Sequence, residues 1–154
     1  KNAGTDGFIL PDMTIEESKD YAYYSKKLGL ACVFLVAPNT SDIRIKKTLK
    51  VSTGFVYLVS VFGITGMRNS FNNYTLAAIK KIKKLSANNN NISVGFGIST
   101  PNHVKLMSNN GADAVIVGSA IIQMVNRYKD NNIDNLQNRL KNYVTSLKVA
   151  CSET

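Results

Sequence analysis

Three glycine-rich turns contain the residues best suited to chemistry: Gly63-Ile64-Thr65-Gly66, Gly95-Phe96-Gly97-Ile98-Ser99 and Gly118-Ser119. Glycine lacks a Cβ, so backbone amides at such turns can approach an anion closely. A helix starting just after the turn adds unpaired N–H groups and a partial positive charge. The Ser119 hydroxyl offers one more donor. Any one of these turns would also serve as a plain tight turn; what matters is where they fall along the chain.

Other chemistries find little support. His103 is the only histidine and Cys32 and Cys151 the only cysteines, so a zinc site of about four ligands is not available. His103 follows Ser99-Thr100-Pro101-Asn102, a helix-start signal, and reads as a surface histidine in a first turn. Cys32 lies in an apolar run and no CxxC occurs, a pattern that fits a reducing compartment. Among the aspartates only Asp12 stands at the C-terminal end of an expected strand.

The elements that must position these turns alternate regularly. Strands are expected at Gly7–Leu10, Ala31–Val36, Phe55–Val59, Ile92–Val94 and Ala114–Val117. Each is followed by a helical pattern. The first helix opens at Thr14, with Glu17 completing a capping box, carries Ile15, Ala22 and Leu28 on one side, and stops at Gly29. The second lies near Ser41–Leu49. Leu76, Ile79, Ile82 and Leu85 mark the third, and Pro101, Val104 and Met107 the fourth. Gly118-Ser119 opens a short apolar helix through Ile121, Ile122 and Val125. The last helix places Ile133, Leu136, Leu140, Val144 and Leu147 at spacings of three or four. Strands that are unbroken apolar runs are covered on both faces, the mark of a parallel sheet.

The formal charge is +9, from 19 basic and 10 acidic residues, but 15 of the basic residues are Lys and only 4 Arg. Phosphate and base recognition favours Arg forks. The densest run, Lys80, Lys81, Lys83 and Lys84, alternates with Ile79, Ile82 and Leu85 as the wet face of an amphipathic helix would. Tyr21, Tyr23 and Tyr24 read as surface packing, not a base-stacking platform. Neither nucleic-acid binding nor a membrane span is expected, since no apolar run approaches about 18 residues.

Every unusual turn lies after a strand and before a helix, which in parallel α/β folds is the ligand end of the sheet. Gly-rich turns after the last two strands, the final one opening a short helix, match the phosphate site of a TIM (β/α)8 barrel. Such a barrel needs eight units and about 250 residues. The five units here are expected to be its last five, so that residues 1–154 form the C-terminal part of a single TIM-barrel domain.

On these residues a family resemblance rests. Phe8-Ile9-Leu10-Pro11-Asp12 with Glu16-Glu17 resembles the fourth-strand motif of the tryptophan synthase alpha chain. Tyr57-Leu58-Val59-Ser60 with Gly63-Ile64-Thr65-Gly66 resembles its sixth strand and mobile loop. Gly95-Phe96-Gly97-Ile98-Ser99 and Gly118-Ser119-Ala120-Ile121 resemble its seventh and eighth βα turns. The resemblance runs from Ala3 to about Ala150 and implies a lyase of tryptophan biosynthesis. That enzyme cleaves indole-3-glycerol phosphate to indole and glyceraldehyde 3-phosphate by a retro-aldol step.

Position by position, it implies that Gly66, Gly97, Gly118 and Ser119 hold the substrate phosphate. Phe96 packs beside the ligand, Tyr57 lines the cleft near the reacting carbons, and Thr65 belongs to the closing loop. Asp12 stands on the rim facing a beta chain. The implied partner is that beta chain, in an α2β2 heterotetramer; the pyridoxal phosphate is the beta chain's, and no cofactor or metal is implied here. The family's catalytic Glu and Asp lie on the second strand and the following loop, expected upstream of Lys1, so this chain alone is expected to be inactive. Val61-Phe62 departs from the smaller or polar residues many relatives carry in that loop.

Two other readings compete. An isomerase of histidine or tryptophan biosynthesis would share the late phosphate turns but not the Tyr57 to Gly66 stretch. A chain of this length could also bind phosphate ligands or a beta chain without catalysis. Usage rich in Lys, Asn and Ile fits an AT-rich coding genome, so the expected location is a plastid (chloroplast) stroma or a bacterial cytoplasm.

Overall fold

A computed structural model of the chain describes residues 1–60, 68–87, 89–129 and 133–152. Thr65 and Gly66 of the sequence-expected site lie outside these residues. Strands and helices alternate along the chain: β1 (Gly7–Ile9), α1 (Lys19–Leu28), β2 (Ala31–Val33), β3 (Leu35–Val36), α2 (Asp42–Val51), β4 (Phe55–Val59), α3 (Arg68–Ser86), β5 (Asn91–Gly95), α4 (Pro101–Asn109), β6 (Ala114–Val115), α5 (Ser119–Tyr128) and α6 (Ile133–Ser152). All strand pairings are parallel, β1 with β2 and then β3-β4-β5-β6 in sequence order. Spatial order equal to sequence order, with a helix between neighbours, is the wiring of a barrel arc.

The expected single strand over 31–36 is broken at Phe34. Cys32 O accepts the Thr53 N–H, whereas Phe34 O accepts the Tyr57 N–H. An advance of two residues on one side thus meets four on the other. The surplus is absorbed at Gly54, whose φ of +84° only glycine adopts without strain. Cys32, Val33 and Phe34 are all buried, so the run is still covered on both faces.

The core lies between the sheet and its helices. Val56 and Leu58 of β4 and Ile92 and Val94 of β5 meet Ile79 and Ile82 of α3 and Val104 and Met107 of α4, all fully buried. Each such side chain contributes about 1.5–3 kcal/mol over its exposed state. Alternation on β4 sends Tyr57 and Val59 to the opposite face of the sheet, away from this core.

Three helix readings are corrected. Helix α1 starts at Lys19, not Thr14, because the Thr14 hydroxyl donates to Glu17 Oε2 (2.6 Å) instead of accepting from a backbone amide. Residues 14–17 therefore form a separate turn. The inward face of α1 runs through Ser25, and Leu28 is exposed. Gly29, at φ +63°, ends the helix in a Schellman arrangement, its N–H bonding Lys26 O and that of Leu30 bonding Ser25 O. In α6 the buried stripe is Leu136, Leu147 and Ala150 with Tyr143 beside it, while Ile133 and Val144 are exposed.

The arc is open at both ends. Phe8 and Ile9 on β1 are about two-fifths exposed, and α5, although strongly amphipathic, buries no residue fully. The lysine run forms the wet face expected of it. Two of its members are paired: Lys81 Nζ with Asp42 at 2.6 Å and Lys83 Nζ with Asp113 at 2.7 Å. That leaves less free charge for a nucleic-acid backbone. Among the described residues no helix is long and apolar enough to cross a membrane, and no group of three or more His, Cys, Asp or Glu is placed to hold a metal.

Candidate functional site

The C-terminal ends of β4, β5 and β6 enclose a cavity of about 380 Å³. Tyr57, Phe96, Gly97, Gly118 and Ser119, five of the residues singled out from the sequence, line it together. Ile98, Ser99, Ile116, Ala120 and Gln123 complete the wall. A volume of that size suits a small organic ligand. Among the described residues no ionised side chain lines the space. Its polarity comes from backbone, from hydroxyls and from the first turn of α5, where N–H groups carry a partial positive charge.

Parallel register explains why Tyr57 is there. Tyr57 pairs with Ser93, and Val59 with Gly95, on one face of neighbouring strands. The Tyr57 ring lies across Gly95: a Cβ built there would stand 2.2 Å from the phenolic oxygen. Gly95 is thus required by the tyrosine. The phenol also meets the Phe96 ring, centroids 5.8 Å apart. Burial pushes the Tyr57 pKa up, which keeps its hydroxyl protonated.

The β5–α4 turn is unusual backbone. Phe96 takes φ +67° and Gly97 φ +79°. For phenylalanine this left-handed conformation costs roughly 1–2 kcal/mol. It lifts the ring out of the core, where it is 56% exposed beside the cavity. Phe96 therefore does not fill the core but lines the cavity.

Side chains from three elements hold the turn. The buried Ser60 hydroxyl, at the end of β4, donates toward the carbonyl oxygens of Gly95 and Phe96. Tyr143 of α6 donates to Ser99 O at 3.0 Å. His103 Nδ1 accepts the Ser99 N–H at 3.3 Å. His103 is therefore only partly exposed and ties the turn to α4, rather than being a free surface histidine. Burial is the larger influence on it and lowers its pKa, against a raising contribution from the Gly97 backbone. Thr100 caps α4, its Oγ1 accepting the His103 N–H at 3.2 Å.

At the other turn, a Cβ on Gly118 would meet nothing within 4 Å among the described residues, whose packing does not demand glycine there. The missing side chain leaves the first amides of α5 accessible from the cavity. Gln123, one turn beyond Ser119, is a polar residue set between Ile122 and Met124, a signal that would have found it. Ser60 and Tyr143 offered no such signal.

Asp12 stands apart. It is exposed and lies on a second cavity of about 310 Å³ with Pro11, Thr14 and Arg44. Arg44 there pairs with Glu16 at 3.0 Å.

Known proteins resemble the chain throughout. It is 47% identical over 132 residues to the tryptophan synthase alpha chain of Methanocaldococcus jannaschii, a match covering 86% of this chain and 46% of that one. Against the alpha chain of Methanococcus voltae the figures are 44% identity, 86% and 46%. A solved structure of the tryptophan synthase α2β2 complex from Pyrococcus furiosus superposes with a TM-score of 0.82 at 33% identity, over 95% of this chain and 56% of that one. The chain thus spans about half the length of the relatives it matches, and its parallel arc is part of their TIM barrel. The sequence model of the tryptophan synthase alpha chain family matches residues 1–152, and the chain belongs to that family.

Proposed function

We propose that the chain provides the phosphate-binding half of a tryptophan synthase alpha active site. Residues 1–154 are the C-terminal part of one TIM-barrel domain, and the whole barrel is a lyase that cleaves indole-3-glycerol phosphate to indole and glyceraldehyde 3-phosphate. The observation that carries this reading is the convergence of Gly97, Gly118 and Ser119 on one cavity beside Tyr57 and Phe96. Amides at the α5 N-terminus and the Ser119 hydroxyl hold the phosphate dianion without a cationic side chain. By resemblance to the family we assign Gly66 and Thr65 to the same set of substrate-binding residues.

Tyr57 and Phe96 then flank the glycerol chain and exclude water near the bond that breaks. In the retro-aldol step an acid protonates the indole ring at C3, a base takes the side-chain hydroxyl proton, and the C–C electron pair passes to the ring. No carboxylate lines the cavity among the described residues. We assign the acid–base pair to a Glu and an Asp outside residues 1–154, so these residues alone bind but do not turn over. Asp12, on the separate rim, faces a beta chain that receives the indole in an α2β2 assembly. The family match speaks against the isomerase reading. The reaction takes place in a reducing aqueous compartment; the relatives named above are archaeal, and a plastid location rests on residue usage alone.

The test is turnover of indole-3-glycerol phosphate by the full-length protein, with and without beta chain, beside residues 1–154 alone. Indole release by the full protein only is expected. Turnover of an isomerase substrate instead would overturn the reading.

A further inference from the structure

We propose that Ser60 is a positioning residue for the anion subsite: its buried hydroxyl, anchored on the carbonyl oxygens of Gly95 and Phe96, turns the Gly97 amide into the cavity. This rests on the phosphate-binding reading above and extends it to a residue outside the cavity wall. In a trans peptide the C=O and N–H point in opposite directions. No cis peptide occurs among the described residues. With Phe96 O held on Ser60, the N–H of the same peptide unit, that of Gly97, points away from Ser60. Gly97 lines the cavity, so that N–H meets the ligand.

The anchor is needed because the turn is strained. Phe96 and Gly97 are both left-handed, and a peptide unit between such residues can flip toward a more relaxed arrangement. A flip would exchange donor for acceptor and present a carbonyl oxygen to an anion. Ser60 is well placed to prevent this. It is 3% exposed, its own N–H bonds Gly95 O at 2.8 Å, and its side chain is thereby registered to the turn by the β4–β5 ladder. One serine at the end of β4 thus sets the orientation of the anion-binding amide. The apolar part of the ligand does not depend on this peptide.

The experiment compares Ser60→Ala and Ser60→Thr with the wild type in the full-length protein. Affinities for inorganic phosphate and, separately, for indole are read by calorimetry, and the Gly97 amide shift by NMR. Ser60→Ala is expected to weaken phosphate binding about five- to tenfold, the worth of one hydrogen bond, and to remove the phosphate-induced Gly97 shift. Indole affinity should change less than about twofold. Ser60→Thr, which keeps the hydroxyl, should restore most of the phosphate affinity. A merely structural serine would weaken both ligands together, and that result overturns the proposal. Undiminished phosphate binding by Ser60→Ala also overturns it while leaving the phosphate reading intact. Failure of the wild type to bind phosphate overturns both.

Discussion

Replacing Gly95 by alanine tests how the cavity is built. The new Cβ would lie 2.2 Å from Tyr57 Oη, 2.5 Å from Cε2 and 2.6 Å from Cζ. The β5 backbone cannot retreat, because it is hydrogen-bonded to β4 on one side and β6 on the other. The phenol must therefore swing away by more than about 1 Å to regain ordinary contact, against Phe96 and into the cavity. Overpacking of this kind costs about 1–3 kcal/mol of stability. A misplacement of about 1 Å beside the reacting atoms costs on the order of 100-fold in turnover. The assay is thermal unfolding together with kcat/KM for indole-3-glycerol phosphate in the full-length protein. Tyr57→Phe removes only the oxygen and leaves the 2.5 and 2.6 Å clashes, so it should not relieve the defect. Tyr57→Ala should. In that background Gly95→Ala should cost almost nothing, giving a coupling of about 1–3 kcal/mol in the cycle. An alanine at 95 that leaves stability and turnover unchanged, or a cost that persists beside Ala at 57, would refute the reasoning.

Other substitutions separate ligand binding from stability. Gly118→Ala meets no atom of the described residues within 4 Å, so unfolding should shift by less than about 1 kcal/mol; affinity for glycerol 3-phosphate, measured by calorimetry, should fall on the order of tenfold because the methyl enters the space above the α5 amides. His103 has a lowered pKa in the folded chain, so the unfolded state binds the proton more readily. Its contribution to stability is present above the ordinary value of about 6.5 and is lost as pH falls through its lower folded value. His103→Gln should flatten denaturation midpoints over that acid range. Asp113 accepts from Lys83 Nζ at 2.7 Å and from the Ile92 N–H at 2.7 Å; Asp113→Ala should destabilise by about 1–3 kcal/mol, read as a lower urea midpoint.

Much of this was legible in the residues. The apolar runs marked the strands because a parallel sheet is covered on both faces, and two of the glycine-rich turns lie at the cavity, where Gly97 takes left-handed backbone and Gly118 leaves the wall without a side chain. What was not legible depended on distant partners. The break at Phe34 goes with surplus residues around Gly54, just ahead of the neighbouring strand. The Thr14–Glu17 pair has the spacing of a capping box, but the two side chains bond each other and the helix starts a turn later. Leu28, Ile133 and Val144 are apolar at helical spacing yet face solvent, since the stripe that packs is set by neighbouring elements. Ser60 and Tyr143 reach their turn from 36 and 44 residues away, and nothing local in either segment announces it. His103 was recognised as a first-turn residue, but not as the acceptor for Ser99.

The central claim is that these two turns form the phosphate site, and it is tested most directly by titrating the full-length protein with glycerol 3-phosphate while following backbone amides by NMR. Saturable shifts concentrated at Gly97, Gly118 and Ser119, with none at Asp12 or Arg44 around the second cavity, are the expected result. Saturable binding that leaves those three amides unmoved and shifts residues elsewhere would contradict it.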